Sequence, residues 1–125
     1  MAAQDRSPGS DPATRAFDLE RRGQHGAAAE IYRTMLTTRP ADLGALLGLE
    51  RSLVPLGKVA TMVPELHRGL SSGEPSAGLF GIAVRIYAVA GLADSVRRIV
   101  DRWVTIEPQA EAPYQEWGAA ALGAR

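Results

Sequence analysis

The strongest constraint on this chain is a period. Gly23, Gly57 and Gly91 fall 34 residues apart, and Leu36, Leu70 and Val104 keep the same interval. Pro40 and Pro108 are separated by twice that distance. Self-similarity at this length marks a helix–turn–helix unit repeated along the chain, each unit too small to bury its own apolar face. The best-preserved copy runs from Arg22 to Pro40. A glycine turn opens it, and Ala28, Ile31, Tyr32, Met35 and Leu36 then recur at helical spacing. Arg39-Pro40 stops it, because the residue before proline is pushed out of the helical region.

The rest of the chain fits around that copy. Residues 1–10 are polar, with Pro8 and Gly9 and no periodicity, and are expected to form a disordered leader. Asp11-Pro12 starts a first helix to about Arg22, with Asp as N-cap and Pro at the first helical position. Gly23 closes it as a left-handed cap. The second helix spans about Gly26 to Thr38. A third, about Ala41 to Leu53, carries five leucines on more than one side, as a helix between neighbours must. The fourth contains Pro64, which is tolerated only in a first turn, so this helix either starts late, near Thr61, or kinks. Ser71 to Pro75 is a loop. Ser76 caps a fifth helix, about Ala77 to Ala90, and a sixth runs from about Leu92 to Ile106. Pro113 opens a seventh, to about Leu122. Trp103 and Trp117 belong to the core of the last stack.

Set on its own period, the chain resembles the tetratricopeptide repeat. The first unit (about 11–41) offers Leu19, Gly23, Ala28, Tyr32 and Pro40. The second (42–75) offers Leu46, Leu49, Leu53, Gly57, Leu66 and Leu70, and the third (76–109) Phe80, Ala83, Tyr87, Gly91 and Pro108. Tyr114, Trp117 and Gly118 open a fourth unit without a second helix, which reads as a capping helix over 112–122. Met35, Gly69 and Trp103 occupy a site where the family prefers Ala, and Met62 and Val96 replace the small residue of Ala28. The resemblance implies an all-α fold, a right-handed superhelical solenoid of antiparallel helix pairs with about seven helices. It implies a concave groove lined by the first helix of each pair, and binding of a protein or peptide there.

Composition narrows the function from the other side. Basic and acidic residues number 14 each, so the formal net charge is zero. That balance argues against a general nucleic-acid binder or a basic membrane-surface patch. Among the basic residues only Lys58 is a lysine. The absence of cysteine removes thiolate nucleophiles and cysteine metal sites, and fits the cytoplasm and export equally. No apolar run is long enough for a membrane span. His25 and His67 have no second ligand in sequence reach, and no serine has a base beside it, so no catalytic set, metal site or cofactor is expected.

By resemblance the groove positions are Phe17, Glu20 and Arg21 in the first unit and Leu47, Arg51 and Val54 in the second. In the third they are Gly78, Gly81, Arg85 and Ala88, with Gln115 and Ala119 in the capping helix. Arg51 and Arg85 stand one period apart and point the same way. They either hold a partner carboxylate or lie solvated, paired with Glu50 or Asp18. The chain has no asparagine, so the lysine/asparagine carboxylate clamp of some family members is not carried over. Gly44, Gly48, Gly78 and Gly81 either admit a ligand backbone or allow close helix packing. Arg97, Arg98 and Arg102 make a basic face broken by Asp94 and Asp101, read as solvated. Self-association through the C-terminal end is the competing expectation.

Overall fold

The computed structural model describes residues 11–73 and 75–106. Among them are six α-helices and no strand: α1 Pro12–Arg21, α2 His25–Thr38, α3 Leu43–Leu53, α4 Val63–Ser71, α5 Ala77–Val89 and α6 Ala93–Ile106. The 1–10 leader, Trp117 and the 112–122 capping helix, with Gln115 and Ala119, lie outside the described residues.

Local chemistry sets the ends. Asp11, Asp42 and Ser76 each accept a backbone N–H three residues on, so α1, α3 and α5 begin with side-chain caps. Asp42 corrects one expected boundary. Because its carboxylate takes the Ala45 N–H, α3 starts at Leu43 rather than near Ala41. The three periodic glycines share one left-handed conformation, with φ of 77°, 65° and 77° at Gly23, Gly57 and Gly91. A side chain there would be strained, which is why the period is kept most faithfully at these positions.

Pro64 falls where its ring does no harm. A short 3-10 turn over Val59–Met62 leads into α4, and Pro64 sits in the first turn of that helix. The missing N–H is one that would have no helical partner anyway.

Each helix touches its sequence neighbour across α1–α2, α2–α3, α4–α5 and α5–α6. The odd-numbered helices also form a row, α1 on α3 and α3 on α5. The core runs continuously from Ala16 in α1 to Trp103 in α6. Met62 and Val96 fill the place that Ala28 holds in the first pair, and all three are buried. Trp103 is 2% exposed and stacks on Phe80 with ring centroids 5.8 Å apart.

The glycines inside helices mostly mark close approach. A Cβ on Gly48 would stand 2.3 Å from the Tyr32 ring, and one on Gly69 would stand 2.8 Å from the Pro40 carbonyl oxygen. Gly78 faces Leu43 at 2.7 Å. Gly69 therefore departs from the alanine preferred by the resembled family because the backbone after α2 already fills that space.

Candidate functional site

The row α1–α3–α5 is held by two ion-pair steps. Arg51 on α3 donates from Nε and Nη2 to Glu20 on α1, at 3.0 and 3.1 Å. Arg85 on α5 makes the same two-pronged contact with Glu50 on α3, at 3.2 and 3.0 Å. A planar guanidinium matched to a carboxylate in this way fixes direction as well as distance. Both arginines expected to reach for a partner carboxylate are thus engaged within the chain. Arg85 pairs with Glu50 as one of the two sequence expectations had it. Arg51 takes Glu20 instead, since Asp18 points to Arg22 at 3.1 Å.

The first step extends inward. Tyr32 on α2 donates its hydroxyl to Glu20, and the Tyr32 hydroxyl oxygen accepts from Arg51 Nη2 at 3.4 Å. Burial pushes the Tyr32 phenol up to about 12, and the hydrogen bond to Glu20 adds to the rise. The Glu20 contact likewise raises Arg51, which stays charged throughout. Three helices thereby share one carboxylate.

Beside this cluster lies a cleft of ≈ 340 Å³ lined by Ala13, Phe17, Met35, Leu47 and Arg51, among others. Phe17 is 51% exposed, and the Arg51 guanidinium sits over its ring at 5.9 Å. Leu47 is half-buried. One turn beyond Arg51, Val54 is 59% exposed, and Val89 at the end of α5 is 58% exposed. The structure therefore brings Phe17, Leu47 and Arg51 into one cleft. Arg21 is exposed on the outer edge of α1, in a neighbouring cleft with Phe17. Val54 and Arg85 lie outside both clefts.

Two features went unread in the sequence. One is the Tyr32 hydroxyl, treated only as a core ring. The other is a second set of polar links on the even-numbered helices, where Arg33 on α2 reaches Glu65 on α4 at 3.4 Å and Thr61 Oγ1 at 2.9 Å. The sequence does carry a signal for the first row. Glu20 to Arg51 and Glu50 to Arg85 are opposite charges separated by 31 and 35 residues, which bracket the period. Of the two histidines, His67 is exposed and shares a hydrogen bond with Tyr87 at 3.2 Å, whereas His25 opens α2 and is half-buried.

Among the described residues no group of three or more His, Cys, Asp or Glu side chains could hold a metal ion. No helix there is long and apolar enough to cross a membrane. No family model matches the chain, and neither a curated protein nor a solved structure does.

Proposed function

We propose that this chain is a non-catalytic helical-repeat module of the tetratricopeptide kind, a right-handed solenoid that receives a protein or peptide along α1, α3 and α5. One observation carries the reading. Exposed Phe17 and half-buried Leu47 line a cleft whose Arg51 is already paired with Glu20, and exposed Val54 stands one turn further along α3. A charged chain terminus would have to break a two-pronged ion pair to bind there. An apolar strip would only displace water from Phe17 and Leu47, and so the favoured partner is a segment with apolar side chains at helical spacing.

The test is a Phe17→Glu/Val54→Glu variant of the full chain. Both residues are exposed, so the helical circular dichroism and melting temperature stay close to wild type. Proteins co-purifying with the wild type are expected to be lost, and their undiminished recovery by the variant overturns the groove reading. Charge reversal at Arg51 is a poorer test, because it sets one carboxylate against another at Glu20.

A second reading, self-association, draws on the opposite end from the one first expected. The outer face of the first pair carries a cleft of ≈ 600 Å³ lined by Pro12, Ile31 and Met35, with Arg15, Glu30 and Arg39 around it. In a stacked array such a face meets another helix pair.

A further inference from the structure

The even-numbered helices are linked by side chains just as the odd-numbered ones are, and the chemistry changes along the row. Between α2 and α4 the link is an ion pair, Arg33 to Glu65. One period on, His67 stands at the place of Arg33 and Ile99 at the place of Glu65. The acid is gone from the α4–α6 step. Two arginines remain beside it: Arg102, whose Nη1 donates to the Leu70 carbonyl at 3.3 Å, and Arg98, whose Nη2 donates to Ser95 Oγ at 3.2 Å. No described carboxylate comes within ion-pair distance of either, although Arg33, Arg51 and Arg85 each have one.

Those two guanidinium groups share a cleft of ≈ 190 Å³ with His67, Ser71, Tyr87 and Ser95. Among the described residues none of its lining is acidic. Arg98 and Arg102 are four residues apart on α6 and so face the same way. A guanidinium carries five N–H donors, and the hydrogen bonds above use one on each. Arg102 is further fixed by lying over the Phe80 ring at 5.6 Å. Two serine hydroxyls, the Tyr87 hydroxyl and the His67 ring supply further polar partners. A concave site with two like charges, several hydroxyls and no described carboxylate in its lining is complementary to an anion with several acceptor oxygens.

We propose that the cleft between α4, α5 and α6 binds a phosphate group, held by Arg98 and Arg102 and oriented by Ser71, Ser95 and the Tyr87–His67 pair. The shared chemistry is that of inorganic phosphate and of a phosphomonoester. The site lies on different helices from the groove cluster of Phe17, Leu47 and Arg51, so its fate is independent of the groove reading.

The experiment is a titration of the full-length protein with sodium phosphate at constant ionic strength, followed by ¹H–¹⁵N chemical shifts, with sodium chloride as control. Shifts are expected to centre on Ser71, Ser95, Arg98 and Ile99. Arg98→Gln is expected to weaken phosphate binding about five-fold or more. Arg97→Gln, which removes the same charge from α6 outside the cleft, is expected to weaken it less than about two-fold. A parallel titration with O-phosphoserine separates the two sources. Binding at least about ten-fold tighter than phosphate assigns the site to a monoester, and equal binding assigns it to the free ion. Equal weakening by both substitutions, shifts scattered over the chain, or the same shifts with chloride overturns the site.

Discussion

At the scale of the residue, glycine explains more here than any charged group. Gly44 and Gly48 lie one turn apart on α3 and have opposite reasons for being there. A Cβ at Gly44 would meet only Asp42 Oδ1 at 3.4 Å, an ordinary contact. A Cβ at Gly48 would enter the Tyr32 ring. That ring is 3% exposed and tethered through its hydroxyl to Glu20, so it has nowhere to go without breaking the three-helix cluster. Gly44→Ala is therefore expected to stabilise the fold, by up to about 1 kcal/mol from helix propensity. Gly48→Ala is expected to cost about 1–3 kcal/mol by overpacking. Urea denaturation of the two single variants checks both signs, and a stabilised Gly48→Ala would mean that Tyr32 does not pack as described. Of the inner glycines, Gly48 packs against a tethered ring, whereas a Cβ at Gly78 would meet only the end of the Leu43 side chain at 2.7 Å.

At the scale of the element, one shared carboxylate fastens three helices. Glu20 on α1 accepts from Tyr32 on α2 and from Arg51 on α3. The Tyr32 phenol is raised to about 12 in the folded chain against about 10 for an unfolded tyrosine. The folded state therefore holds this proton more tightly. Its contribution is fully present below about pH 10 and is lost as the pH rises from there through about 12. Tyr87, also raised by burial, adds in the same direction. The expected outcome is a denaturation midpoint that falls steeply above about pH 10, with a shallower fall for Tyr32→Phe. A Tyr32→Phe profile parallel to wild type would show that the Glu20 cluster does not hold the proton. The elements themselves were legible because each boundary has a local cause: Asp11 and Ser76 as caps, glycines at the period, Pro40 as a stop and Pro64 in a first turn. What sequence could not supply was pairing between elements. The positions of Glu20 and Arg51 are visible in the sequence. Their meeting depends on how α1 and α3 each seat against α2, which the Gly48–Tyr32 contact fixes for α3 and no local pattern records.

At the scale of the whole molecule, the two rows of helices treat charge differently, and the ends of the rows differ from the middle. The odd-numbered row is neutralised at both steps. On the even-numbered row Glu65 pairs with both Arg33 and Arg68, and one period on, where Ile99 stands, no described acid pairs with Arg98 or Arg102. A formal net charge of zero hides this, since it sums over a chain whose acids and bases are not evenly placed. The outer face of the first pair is a third environment. Ile31 and Met35 are half-buried there over a cleft of ≈ 600 Å³, with Arg15 and Arg39 beside Glu30 and Asp42. A face that carries both signs around an apolar centre can meet a twofold-related copy of itself, base against acid. If that face joins two copies, sedimentation velocity of the full chain at rising concentration will show mass moving from monomer to dimer, and Ile31→Arg will hold it at monomer while leaving the melting temperature within about 3 °C. If both proteins stay monomeric at the highest concentration, the face does not join copies. Ile31 also lines a cleft with Phe17, so the groove is judged by the Phe17→Glu/Val54→Glu variant and not by this one.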